Sequence, residues 1–177
     1  VLDDLFIYME QAENYAKSEP PEVEEYEVFF EKQLTVAEQI LHITMAKNAS
    51  DGYDHAVKAA EKCGNVTVFD SGQLSSGMGL FVIKAAQMAQ NGATPAQILP
   101  ALAVSKYLSS TSFVVRDTDF LHRSGRLSKG VKKLCDRMLL HPVLIMKHDS
   151  IVADQILVGQ WTDVICRYIK YTLRRTW

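Results

Sequence analysis

Two apolar stretches, QILHITMA (residues 39–46) and NVTVFDS (residues 65–71), flank an amphipathic helix, and this arrangement restricts the fold more than any other feature of the chain. Each stretch is apolar on nearly every residue, as in strands covered on both faces. Between them Tyr53, Ala56, Val57, Ala60 and Cys63 recur at i, i+3, i+4, i+7 and i+10, the period of a helix with one buried side. Ser50 or Asp51 stands at its N-cap and Gly64 at its end, the residue types that start and stop helices. Strand, helix, strand in this order is a right-handed crossover, so the two strands are predicted to be parallel. A mostly apolar helix then stops at Asn91-Gly92, and Thr94-Pro95-Ala96-Gln97 opens another with a capping box and Pro at its first position. Pro100 is expected to bend that last helix.

Upstream, Leu2, Leu5, Phe6 and Met9 mark a short amphipathic helix that ends near KSEPPE. After Pro20-Pro21, Val23, Tyr26 and Phe30 share one face of a second helix whose other face is nearly all glutamate. The glutamates of its first turn suit the positive end of the helix dipole. Downstream the rhythm changes. TSFVV reads as a strand, DTDFLHRSGRLSKG as a polar turn with a short helical piece, and GVKKLCDRMLL as a helix. HPVLIMK and IVADQILVG, joined by His148-Asp149-Ser150, read as an antiparallel hairpin. Trp161, Val164, Ile165 and Tyr168 give a final amphipathic helix. The expected class is α/β: a parallel-sheet first domain over residues 1–105 and part of a second α/β domain with antiparallel strands over residues 106–177, the boundary lying near 104–112. The chain opens with Val and closes at LRRTW inside an apparent helix, so it is expected to be a piece of a longer protein.

Composition excludes several function classes. The net charge of −2 divides unevenly: residues 1–39 hold 11 acidic and 2 basic residues, the other 138 hold 10 and 17. The basic excess is dispersed and forms no stripe with interleaved aromatics, so nucleic acid is not an expected partner. No apolar run approaches the ~18 residues of a membrane span, and no signal peptide opens the chain. A cytoplasmic protein is the expectation. Cys63, Cys135 and Cys166 are odd in number and far apart, which fits thiols in a reducing compartment. The five histidines have no ligand spacing toward one another or toward a cysteine, so no metal site is expected.

Two parallel strands place their following loops, AKNASDG (46–52) and SGQLSSGMG (71–79), on the sheet edge where α/β folds bind ligands. Ser71, Ser75 and Ser76 offer hydroxyls, and Gly77 and Gly79 would let backbone approach an anion at a helix start. The same residues also serve as an ordinary turn and cap. In HRSGRLSKG (122–130), Arg123, Arg126 and Lys129 suit a carboxylate or phosphate, or a helix end. Asp70 and Asp119 have no nucleophile and histidine at a recognisable spacing, and neither G-x-S-x-G nor a P-loop is present. No catalytic residue and no cofactor is expected.

Several stretches together resemble the DegV family, whose known members bind long-chain fatty acids and present them to a fatty-acid kinase. HITMAKNASDGYDHA (42–56) is similar to the family's HITISSGLSGTYQSA, and Asp70-Ser71 through Ser75, Gly77 and Gly79 to its DSxxxSxGxG loop. LHRSGRLS (121–128) is similar to L-x-x-G-G-R-I-S, and Ser18-Glu19-Pro20-Pro21-Glu22 to the TSQPS-type turn. The resemblance spans almost the whole chain. It implies a two-domain α/β fold, an acyl tail buried between the domains, and a carboxylate held by hydroxyls and a basic residue. Ser18 keeps the hydroxyl of the first turn, and Arg126 matches the arginine of the GGR turn, whose first glycine is Ser124 here. Ala46 and Lys47 replace the family's paired serines, and Glu19 and Glu22 replace two further hydroxyl residues. The family's amino-terminal strand, and the carboxyl-terminal segment that supplies a histidine near the head group, have no counterpart here. The expected lipid-binding residues are Ser18, Lys47, Ser75, Ser76 and Arg126. Each donor lost from a carboxylate costs about 1.5–3 kcal/mol, so two missing serines weaken binding by roughly tenfold to a thousandfold or more. An ammonium at Lys47 offsets this only if it points at the head group.

The resemblance therefore implies non-enzymatic binding of a long-chain fatty acid or similar acyl lipid, with a fatty-acid kinase as the candidate partner; a homodimer is a separate candidate, and the sequence does not fix the oligomeric state. The alternative is a degenerate sensory or assembly module of a larger protein that has lost lipid binding. A third reading, an enzyme acting on a phosphorylated small molecule at the SSGMG loop, lacks any paired acid, base or metal ligand.

Overall fold

The computed structural model describes residues 2–11, 14, 16–125 and 127–176. The elements run α1 (Leu2–Glu10), α2 (Val23–Leu34), β1 (Ile40–Thr44), a 3-10 turn (Lys47–Ala49), α3 (Gly52–Cys63), β2 (Val66–Asp70), α4 (Ser75–Gln90) and α5 (Pro95–Leu108). They continue as β3 (Ser112–Val114), α6 (Asp119–Arg123), α7 (Lys129–Met138), β4 (Leu140–Lys147), β5 (Ser150–Val158) and α8 (Trp161–Thr176). Two compact units result. One comprises Glu19–Thr111 and Met146–Val152, the other Val1–Ser18, Ser112–Ile145 and Ala153–Trp177.

In the first of these units β1 and β2 pair in parallel, from Ile40 opposite Val66 to Thr44 opposite Asp70. Alternation along the strands serves two cores. Ile40, Val66 and Val68 pack with Phe30 of α2 and with Ala56, Ala59 and Ala60 of α3. Small alanines at that spacing let Phe30 reach zero exposure, its ring 5.8 Å from Tyr26 and 5.2 Å from His42. Leu41, Ile43 and Phe69 point the other way, into Phe81 and Ala85 of α4 and Ile98 and Leu102 of α5. Both faces are thus covered, as the apolar strands require, yet among the residues of β1 and β2 only Thr44 is buried. The full burial expected of both strands is not reached, because a sheet of two strands leaves an open edge beside each.

Helix ends follow local chemistry. Thr94 and Gln97 form the reciprocal capping box with Pro95 at the first position, and α5 runs on through Pro100. Glu22 and Glu25 form another at α2. At α3, Asp51 occupies the N-cap without a side-chain bond, and Ser50 Oγ instead accepts from Gly52 N at 3.2 Å.

β3 runs antiparallel to β4, with Ser112 opposite Ile145, and β5 completes the order β3-β4-β5; the hairpin end, Met146–Val152, belongs to the first unit and the rest of these strands to the other. The β4–β5 connection is His148-Asp149, both at positive φ (50° and 60°), with Ser150 already the first residue of β5. That is the two-residue hairpin turn whose twist matches the strands. Val164 of α8 is fully buried, and Tyr168 Oη lies 2.8 Å from Ser112 Oγ. Arg123 fastens the amino-terminal segment, its guanidinium donating to the carbonyls of Met9 (2.6 Å), Gln11 (3.0 Å) and Asn14 (3.1 Å) while pairing with Asp119. Among the described residues no helix is long and apolar enough to cross a membrane, and no three His, Cys, Asp or Glu side chains form a metal-binding group.

Candidate functional site

The carboxyl edge of the parallel sheet is built by two loops that hydrogen-bond to each other. Ala46 N donates to Gln73 O at 2.9 Å, and Ser71 donates to Thr44 O through both its N–H (3.2 Å) and its Oγ (2.7 Å). Ser71 is fully buried and spends its hydroxyl on this cross-strand bond, so it joins the loops and does not face a ligand. Asp70 organises both loops: its Oδ1 accepts from Lys47 N (3.2 Å) and Gly72 N (2.9 Å), and its Oδ2 from Lys106 Nζ (2.8 Å). A carboxylate so engaged is a brace and not a general base. Burial alone would pull the Lys106 pKa down, but hydrogen bonds and charge from Asp70 and Asp149 outweigh it and leave the value raised.

Ser75 and Ser76 are exposed, and here the structure shortens the expected loop: α4 begins at Ser75, so both serines and Gly77 and Gly79 are helical. Ser75 sits at φ 47°, a region a residue with a side chain rarely adopts. The N-cap is Leu74, which has no side-chain acceptor for the first N–H groups. Amides, hydroxyls and the dipole at this helix start favour an anion. Gly77 has a packing role that the sequence does not reveal. A Cβ there would overlap Thr111 Oγ1, so its lack of a side chain serves packing; around Gly79 nothing lies within 4 Å. Ala46 is fully buried and Lys47 is exposed, its ammonium in no ion pair with a described residue.

In the other unit, Ser18 lines a cavity of about 440 Å³ together with Met9, Ala16, Lys17, Phe120, Leu121 and Ser124. Ser18 and the flank of the HRSGR turn therefore meet, although more than 100 residues separate them in sequence. Arg126 lies outside the described residues. Arg123, an open candidate for anion binding, is committed to backbone carbonyls, and Asp119 is paired with Arg123 and Lys132. Lys129 is exposed at the start of α7. Lys106, Gln73 and Thr111 were missed by sequence reasoning, for no local pattern links them to the loops they hold.

The model of the family described as "Uncharacterised protein, DegV family" matches residues 2–159. The chain belongs to the DegV family. A DegV domain-containing protein of Listeria innocua is 29% identical over 153 residues, covering 84% of this chain and 54% of its own length. The chain thus spans about half the length of the curated relatives it matches. Among solved structures, a DegV family protein from Thermus thermophilus, described as fatty-acid binding, superposes with a TM-score of 0.74 at 23% identity, over 96% of this chain and 61% of that one. A stearic-acid-binding protein from Eubacterium ventriosum gives 0.78 at 20% identity, over 98% and 62%. At such identities the likeness speaks to the fold, and the mixed α/β DegV architecture is the one expected from the motifs.

Proposed function

We propose that this chain binds a long-chain fatty acid or similar acyl lipid without transforming it. In this reading the hydroxyls of Ser75 and Ser76 and the cation of Lys47 bind the carboxylate at the sheet edge, Ser18 and Arg126 are the further polar candidates, in the other unit, and apolar side chains surround the tail. One observation carries the reading. Ser18, which keeps the hydroxyl of the family's first turn, shares a cavity of about 440 Å³ with Leu121 and Ser124 beside the arginine turn, amid Met9, Ala16 and Phe120. That volume lies in the roughly 300–1,000 Å³ span of small-molecule sites, and the mix of apolar lining with a few hydroxyls suits an amphiphile. The fatty acids named for the solved relatives support the same ligand class. A fatty-acid kinase is the proposed partner, and the chain is a carrier in the cytoplasm.

The test is the content of the purified protein. Native mass spectrometry and solvent extraction are expected to release a fatty acid, and stripped protein is expected to take up radiolabelled palmitic acid at about one equivalent. Protein that is empty and also refuses the label overturns the proposal. A second reading, a degenerate sensory or assembly module, draws on Ala46, a buried methyl where the family carries a hydroxyl. A stable dimer with no uptake of lipid is its signature.

A further inference from the structure

Beside the sheet-edge loops, Asp70, Lys106 and Asp149 form a charge cluster drawn from the end of β2, the last turn of α5 and the hairpin turn between β4 and β5. Lys106 Nζ lies 2.8 Å from Asp70 Oδ2 and 3.2 Å from Asp149 Oδ1. The side chains of Lys106, Asp70 and Asp149 are 28%, 11% and 25% exposed, so their charges act on one another with little screening. The backbone is shaped around the ammonium. Gly72 stands at φ 63°, and a Cβ on it would overlap Lys106 Cε and sit 2.5 Å from Asp149 Oδ1. The carboxylate that Lys106 neutralises is also the one that receives the N–H of Lys47 and of Gly72. Two carboxylates and one ammonium leave the cluster a single net negative charge, next to the loops where an anionic head group would sit.

We propose, resting on the lipid-binding reading above, that Lys106 is the positioning residue that lets this edge accept an anionic head group. It cancels one of two neighbouring carboxylates and keeps the loop amides of Lys47 and Gly72 in place. Without it, Asp70 and Asp149 repel each other and repel a fatty-acid carboxylate, whereas a neutral head group on the same tail is indifferent to the added charge. Lys106 thereby sets the preference for acid over neutral lipid, a role distinct from stabilising the fold.

The experiment compares equilibrium binding of radiolabelled palmitic acid and of hexadecanol to wild type, K106M, K106R and D149N. K106M is expected to lose about tenfold in palmitic acid affinity, the order of one uncancelled charge at a part-exposed site, with hexadecanol changed less than about twofold. K106R restores the acid preference. D149N leaves the Asp70–Lys106 pair intact, removes one negative charge, and strengthens palmitic acid binding severalfold relative to hexadecanol. Equal losses for both lipids in K106M mark a merely structural lysine and overturn the proposal. If K106M does not fold, D149N decides: an unchanged acid-to-alcohol ratio overturns it. A wild type that binds neither lipid refutes the lipid-binding reading itself, whereas one that binds both with no preference refutes only the role of Lys106.

Discussion

Gly77→Ala and Gly79→Ala are the same substitution two residues apart in α4, and the structure gives them opposite signs. At Gly77 a new Cβ overlaps Thr111 Oγ1 and stands 3.2 Å from Thr111 Cβ and 3.4 Å from Gln73 Cβ. Thr111 has little room to yield. It is 8% exposed, its carbonyl accepts from Met146 N at 2.9 Å, and its hydroxyl donates to Gln73 Oε1 at 2.6 Å. Rotating the hydroxyl away leaves the buried Gln73 amide oxygen without that donor and loosens its Nε2 bond to Ser109 O, 3.3 Å. Overpacking of this kind costs about 1–3 kcal/mol and a broken buried hydrogen bond about 1–3 more, while alanine returns about 1 kcal/mol of helix propensity. The net expectation is a loss of about 1–5 kcal/mol. At Gly79 nothing lies within 4 Å, so only the propensity gain remains, about 0.5–1 kcal/mol of stabilisation. Urea titration followed by circular dichroism reads both as shifts in midpoint at constant slope. Gly77→Ala as stable as wild type, or Gly79→Ala costing as much as Gly77→Ala, would refute the packing account and return Gly77 to a role in ligand approach.

Other outcomes are expected from the same structure. Arg123→Ala removes a side chain, only 17% exposed, that holds three carbonyls of the amino-terminal segment; a loss of about 2–3 kcal/mol of local stability follows. Hydrogen exchange within α1 should accelerate at least about tenfold, and unaltered protection there would count against the clamp. Burial holds the His42 imidazole below its ordinary value of 6.5, so the folded state stays neutral where the unfolded chain takes up a proton. Stability is then fully present above pH 6.5 and declines as pH falls through the folded-state value. His42→Phe, which keeps an aromatic ring against Phe30 and Tyr26, is expected to flatten that decline; identical pH slopes for the two proteins would contradict it. Uptake of palmitic acid tests the proposed lipid binding, and the acid-to-alcohol ratio of Lys106 variants tests the proposed role of that lysine.

What was legible in the sequence is what short-range chemistry encodes. The i, i+3, i+4 spacing of Tyr53 to Cys63 is satisfied within one helix, the Thr94 box within four residues, and the Phe30 face within α2. Parallel pairing of β1 and β2 followed from the handedness of a strand-helix-strand crossover, and family membership from motifs kept in order. Even the substitution of Ala46 and Lys47 for paired serines was plain in the letters.

Tertiary structure alone decided what those letters are for. It turned Ala46 inward and left Lys47 in solvent, buried Ser71 on Thr44 O, began α4 at Ser75 and gave Gly77 to Thr111. It also joined Lys106 to Asp70 and Asp149, and sent the Arg123 guanidinium to carbonyls more than 100 residues away. The physical reason is the same in each case. A hydroxyl, an ammonium or a guanidinium carries no sign of its distant partner, and the partner is chosen by whichever chain segments the packing of the cores brings within about 3 Å.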